Sequence, residues 1–355
     1  MKKRLLTSFL MLTLLLALLP TTALAAKNEI TVYNWGQYIS DGTDDSMDVI
    51  HEFEEETGIK VNYLTFDSNE SMYTKLKTGG TSYDVIIPSD YMVAKLISED
   101  MLEPIDFSNV PNFEYIDETF RNQSYDPENK YSVPYTWGTV GIIYNTKYVD
   151  EADVGSWDLL WNEKYAGKIL MFDNSRDAFG IAEYLLGYSV NTTDSAELQA
   201  CADKLAEQKP VVQQYVMDQI FDAMENEEAY IAPYYAGDYL TMVEENPDLK
   251  FYQPEHQGFN LFVDGCVIPT CAKEKDAAET FINFLLEPEI CAQNLDFIGY
   301  SVPETEARQY LDPELASNPV AYPSQETLRN ATSFDFLPED TSREMESLFM
   351  TVRNG

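Results

Sequence analysis

The chain has 355 residues, 61 acidic against 23 basic side chains, and a formal net charge of −38 at pH 7. That excess excludes nucleic acid as a partner, because phosphate binding needs a basic patch; it attracts cations and speeds their arrival, although solubility alone is the plainer use of the same charge. Four cysteines without Cys-x-x-Cys spacing and two isolated histidines offer no metal-ligand pattern and no catalytic companion, so neither metal nor cofactor is expected.

Lys2, Lys3 and Arg4, the apolar run over 5–19 and the small residues of Ala23-Leu24-Ala25 read as an export signal, 1–25, cleaved after Ala25. The apolar run is about 15 residues, short of the ~20 that a membrane span needs. Cleavage removes three bases and no acid, taking the charge from −38 to −41. With no Cys after the apolar run, a periplasmic protein without a lipid anchor is expected. The remaining ~330 residues suggest two domains, long enough for a full core without disulfides. Cys201, Cys266, Cys271 and Cys291 are expected as buried small apolar residues, with Cys266 and Cys271 as a candidate pair.

Strand and helix then alternate. Glu29 to Trp35 reads as a strand, "SMDVIHEFEEETG" as an amphipathic helix with Met47, Ile50 and Phe53 on one face and Gly58 as its stop. "IKVNYLTF" is a strand, "SNESMYTKLKTGG" a capped helix, "YDVIIP" a short buried strand, and "SDYMVAKLISEDM" a helix with Ser89 as N-cap. After "YSVPYTWGTVGIIYN" the pattern restarts: "KILMFD" as strand, "DAFGIAEYLLGYS" and "DSAELQACADKLAEQ" as helices, "AYIAPYY" as strand, "GDYLTMVEEN" as helix. Such alternation predicts an α/β fold of βαβ units with mostly parallel sheets, and its restart predicts two lobes.

Ligands in open α/β sheets sit beyond the carboxyl ends of the strands. Those ends carry Trp35, Tyr38, Ser89, Tyr91, Asp173, Asp177, Tyr234, Tyr235, Asp238, Phe262 and Asp264, with Arg176 as the lone base. Aromatics and carboxylates suit an organic ammonium. Its compact charge needs ionised acceptors when buried, and aromatic faces add about 0.5–2 kcal/mol per contact while covering the methylenes.

The ordered motifs "YNWGQYI", "FEEETGIKVNYLTFDSNESMYTKLKTGG", "YDVIIPSDYMVAKL", "YSVPYTWGTVGIIYN", "SWDLLW", "INFLLEPE" and "IGYSVP" span nearly the whole chain after the signal. In these the sequence resembles the spermidine/putrescine-binding periplasmic proteins of bacterial polyamine ABC importers, of the type II periplasmic-binding-protein fold. The resemblance implies two lobes that close on a polyamine, 26–137 plus 264–307 and 138–263 plus 308–355, a monomer working with a membrane permease, and no enzymatic activity. It places Trp35 and Tyr38 on the aromatic pair after the first strand, Ser89 and Tyr91 on the "PSxY" loop, and Asp177 and Asp264 on amine-taking acids. Tyr300 falls on the tyrosine of "IGY", and Tyr235 with Asp238 on the putrescine-type pattern of aromatic, two residues, aspartate. Departures are Asn174 in place of an acid, Tyr235 and Phe262 in place of Trp, Gly36 in place of a larger side chain, and Phe334 near a glutamine position. These favour putrescine at least as much as spermidine.

Plainer readings exist for each residue. Trp35, Tyr38, Tyr91, Tyr235 and Tyr300 could be packing at strand ends, Asp177 a partner of a helix dipole, and Asp238 a cap. Asp264, in the apolar "NLFVDGCVIP", needs a partner wherever it is buried. Asp44, Asp45 and Glu54-Glu55-Glu56 read as a solvated face, His51 and His256 as surface. Two other functions fit parts of the chain. Tyr234-Tyr235 resembles the phenolate pair of ferric-ion-binding proteins, although neighbouring strand residues face opposite ways unless a turn intervenes. Paired acids with aromatic walls also describe a glycosidase cleft.

Overall fold

The computed structural model describes residues 29–355, so the expected signal segment lies outside the described residues. The first half contains β1 (Glu29–Trp35), α1 (Val49–Thr57), β2 (Lys60–Phe66), α2 (Asn69–Thr78), β3 (Val85–Ile86), α3 (Asp90–Ser98) and the long β4 (Ser132–Asn145). There follow β5 (Ile169–Phe172), α4 (Ser175–Leu186), α5 (Ser195–Gln208), β6 (Val212–Val216), α6 (Ile220–Glu225), β7 (Ile231–Tyr235), α7 (Ala236–Glu245), β8 (Leu249–Tyr252) and β9 (Phe259–Val267). The last are α8 (Lys275–Leu285), α9 (Pro288–Ile298), α10 (Pro313–Ala316), α11 (Gln325–Leu328), β10 (Ala331–Thr332) and α12 (Glu339–Asn354).

Local chemistry sets the boundaries. Helix α1 starts at Val49 rather than Ser46, because the Asp48 carboxylate accepts the His51 N–H, and Gly58 ends it in the left-handed region at φ 70°. Met47 therefore precedes the helix. Ser68 and Ser71 form a reciprocal capping box on α2. Every residue of β4 is buried, which is why its sequence shows no polar–apolar alternation.

The strands run in the order β2-β1-β3-β9-β4-β7-β5-β6, with β10 beside β9 and β8 beside β4. Pairing is parallel on the two flanks, where helical crossovers connect the strands, but β4 and β9 run antiparallel to each other in the middle, with Thr136 opposite Asp264 and Gly138 opposite Phe262. Strand β4 places Val133, Tyr135 and Trp137 in one apolar core, with Phe53, Phe281 and Leu295, and Val140, Ile142 and Tyr144 in another, with Trp157, Phe179 and Phe349. Leu311, Leu315, Tyr322 and Leu328 pack on the first core, and Phe334, Leu337 and Met345 on the second. All four thiols are free, and Cys271 is half-buried rather than buried. Cys266 belongs to the core around Phe53, whereas Cys271 packs with a third cluster around Met72 and Ile86, so the candidate pair is held apart on different packing surfaces.

Beyond β1 the chain turns on buried polar groups. The Asn34 amide accepts the Trp35 N–H and donates to the Tyr38 carbonyl at 3.2 Å, to which the Tyr135 hydroxyl also donates at 2.7 Å. Asn294 from α9 donates to that hydroxyl at 2.8 Å and accepts the Ser40 N–H at 2.9 Å. This bracket fixes where Trp35 and Tyr38 point. Asn294→Leu strands the buried Ser40 N–H, while the Tyr135 hydroxyl keeps its bond to the Tyr38 carbonyl, and is expected to cost about 1–3 kcal/mol of stability, measured by urea unfolding; a loss below about 0.5 kcal/mol would show that the bracket is not needed.

Candidate ligand-binding cleft

Nine separate stretches of the chain converge on one cavity. All ten residues expected at the site, Trp35, Tyr38, Ser89, Tyr91, Asp177, Tyr235, Asp238, Phe262, Asp264 and Tyr300, line it. Its volume is about 70 Å³, room for about five waters at the ~10–15 Å³ each requires. Asp173, also at a strand end, lies elsewhere and pairs with Arg353 at 2.7 Å. Arg176 turns away as well. It donates to the Val190 carbonyl and Asn191 and lies 4.1 Å from the Phe334 ring.

Three of the lining acids are each oriented by a phenol. Tyr38 donates to Asp264 at 2.7 Å, Tyr235 to Asp177 at 2.8 Å and Tyr300 to Asp238 at 3.0 Å. Oδ1 of Asp264 is buried without a hydrogen-bond partner among the described residues. Asn174 is the N-cap of α4. Its oxygen accepts the Asp177 N–H and its nitrogen donates to the Asp177 carboxylate, both at 2.8 Å, so it holds that acid in position. Gly237 admits Tyr300 to Asp238, since a Cβ there would lie 2.3 Å from the Tyr300 ring.

The walls are aromatic. The rings of Tyr38 and Tyr300 meet edge-on at 4.9 Å, as do those of Tyr235 and Phe262 at 5.5 Å, while Trp35 leans on Phe66 at 4.6 Å. Phe262 lies over Gly138, where a Cβ would come within 2.8 Å of its ring. The Tyr91 hydroxyl is held by Asn69 and Glu70, both at 3.0 Å. Ser89 occupies the N-cap position of α3, but its side chain makes no capping hydrogen bond; it sits across a short antiparallel bridge from Asp264. The neighbouring Asp90 carboxylate instead accepts the Tyr91 N–H at 2.7 Å.

Burial dominates the acid–base behaviour. It pushes Asp238 up to about 8 against the opposing hydrogen bond from Tyr300, and Asp264 up to about 6 against Tyr38 and Ser89. Asp177 is raised for the same reason, with Tyr235 and Asn174 opposing. Asp90 rises to about 8, again by burial.

Sequence reasoning missed Asn69, Glu70, Asp90, Met217, Asp218, Phe221 and Asn260 on the lining. Asn69 and Glu70 stand in a recognised helix start and Asp90 follows Ser89, so proximity to chosen residues was their only signal. Tyr234 and Tyr235 both reach the cavity, because β7 ends at Tyr235 and the chain turns at once into α7. Burial raises both phenols, which disfavours the phenolates that ferric iron needs. Among the described residues no group of three or more His, Cys, Asp or Glu is arranged to hold a metal.

A family model for bacterial extracellular solute-binding proteins matches residues 48–322. The spermidine/putrescine-binding periplasmic protein of Escherichia coli K12 is 37% identical over 304 residues, 85% of each chain, and a putrescine-binding periplasmic protein of Pseudomonas aeruginosa is 30% identical over 351 residues, 94% of each. Among solved structures, one from Listeria monocytogenes described as a spermidine/putrescine ABC transporter is 40% identical and superposes with a TM-score of 0.86, over 92% of this chain and 99% of that one. The spermidine/putrescine substrate-binding protein of Streptococcus pneumoniae is 39% identical with a TM-score of 0.76, over 92% and 98%. With identity at this level along most of the chain, the shared two-lobed α/β fold and the matched motifs have one reading: the chain belongs to the bacterial extracellular solute-binding proteins, and within them it stands with the spermidine/putrescine-binding periplasmic proteins.

Proposed function

We infer that the protein captures a linear polyamine outside the cytoplasm and delivers it to the permease of an ABC importer, without catalysing a reaction. The observation that carries this reading is the set of three buried acids, each oriented by one tyrosine, around an aromatic-walled cavity. Acids held this way present fixed acceptors to ammonium groups, and the rings cover the methylenes between them. A sugar would want hydrogen-bond donors among the acids, and the cleft holds almost none with a charge. The lobes are assigned as 26–137 plus 264–307 and 138–263 plus a C-terminal segment. The packing of Leu311 to Leu328 on the first core favours a third crossing after Leu328 rather than at Arg308. Closure brings acids of both lobes onto one ligand, and ligand shifts the open–closed balance only as far as it prefers the closed form.

A cavity with room for about five waters suits four methylenes and two ammonium groups better than the longer triamine. Calorimetry of the ligand-stripped protein with a panel of linear amines is expected to show putrescine binding at least as tightly as spermidine. A large preference for spermidine would contradict that ordering, and indifference to every polyamine would end the polyamine reading.

Asp264→Asn removes the charge from the most deeply buried acid of the three. It is expected to weaken putrescine binding by about 3–5 kcal/mol, the usual consequence of removing one partner of a buried charge pair. A loss of less than tenfold in affinity would exclude Asp264 as an amine anchor.

The raised carboxyls give the pH dependence a sign. With Asp264 near 6 and Asp238 near 8, the closed cleft holds protons more firmly than solvent-exposed acids do, and that preference fades as pH rises past these values. An ammonium ligand needs the charged carboxylates, so its binding expels protons. Putrescine affinity should therefore fall by at least about tenfold from pH 8 to pH 5, with proton release visible when calorimetry is repeated in buffers of different ionisation enthalpy. A flat profile would show that these acids are already charged before ligand arrives.

A further inference from the structure

Asp218, just before α6, has no counterpart among the residues expected to bind ligand, yet it lines the same cavity. Its carboxylate makes no hydrogen bond with the described residues. It lies against Gly36, the residue after Trp35, so closely that a Cβ on Gly36 would fall 2.4 Å from Oδ2. The contact joins the β1 side of the cleft to the α6 side. Gly36 has no left-handed backbone to explain it, since its φ is not positive. A side chain at position 36 would have to displace the Asp218 carboxylate from where it stands.

We propose that Asp218 is a further specificity-determining carboxylate of the cleft, taking one ammonium of a diamine together with Asp238, and that Gly36 is the space that lets it enter. The proposal rests on the polyamine reading above. Electrostatic neighbours support the grouping: Asp218 raises Asp238, whereas Asp177 raises Asp264. The acids therefore fall into two pairs, one for each end of a dication. Asp218 also restores the carboxylate that Asn174 withdraws, but at a different point on the wall. It is itself raised, by burial first and then by Asp67.

The test is a double-mutant cycle read by putrescine calorimetry on the full mature protein, with thermal unfolding as a check that each variant folds. Asp218→Asn, which keeps the shape and removes the charge, should weaken putrescine by threefold or more. Gly36→Ala should weaken it by threefold or more when Asp218 is present, and by clearly less in the Asp218→Ala background, because the methyl then has room. An Asp218→Asn affinity within threefold of wild type overturns the proposal, as does a Gly36→Ala penalty that is the same in both backgrounds. Wild-type protein that ignores putrescine would instead remove the functional reading on which the proposal stands.

Discussion

Carboxylates brought together under burial are the constraint on which this structure turns. A buried acid without a partner costs several kcal/mol, and the cleft gathers Asp177, Asp238 and Asp264 with no base pointed at them. The Tyr235, Tyr300 and Tyr38 hydroxyls meet part of that cost with one hydrogen bond each. They leave the acids short of charge compensation.

The scaffold serves that arrangement through two long strands. Strands β4 and β9 run antiparallel through both apolar cores, and Asp264 and Phe262 sit on β9 at the middle of their pairing. A site placed where both cores share the same strands senses any change in their relative position. The flanking βα units deliver Ser89, Tyr91, Asp177, Tyr235 and Asp238 at the starts of α3, α4 and α7, where a helix N-terminus fixes the direction of the first-turn side chains. Asn174 shows how closely this is controlled. As an N-cap it is bonded both to the backbone and to the carboxylate of Asp177, so the loss of an acid there is also the gain of a brace.

Global and local charge play different roles. The net charge of −38 creates a field that draws cations toward the whole surface, but it gives no preference among them. The few carboxylates that are desolvated differ from the rest, because each of their interactions is strengthened by the low dielectric around it. The exposed ion pairs, such as Lys164 with Asp153, are screened by solvent and contribute little.

The sequence by itself determined the α/β alternation, the order of the elements and the aromatic–acidic character of the strand ends, because these follow from local periodicity and from residue type. Matched motifs picked out ten residues that line one cavity. Only the tertiary structure decided that β4 and β9 run antiparallel through the middle, that Cys266 and Cys271 face different packing surfaces, that Tyr234 joins Tyr235 at the cavity, and that Asp218 meets Gly36. Each of these depends on which distant segment lies opposite, and no local pattern records that. The tyrosine–aspartate pairings belong to the same class: Tyr38 and Asp264 are 226 residues apart in the chain, and they meet because β9 returns to the core that holds the loop after β1.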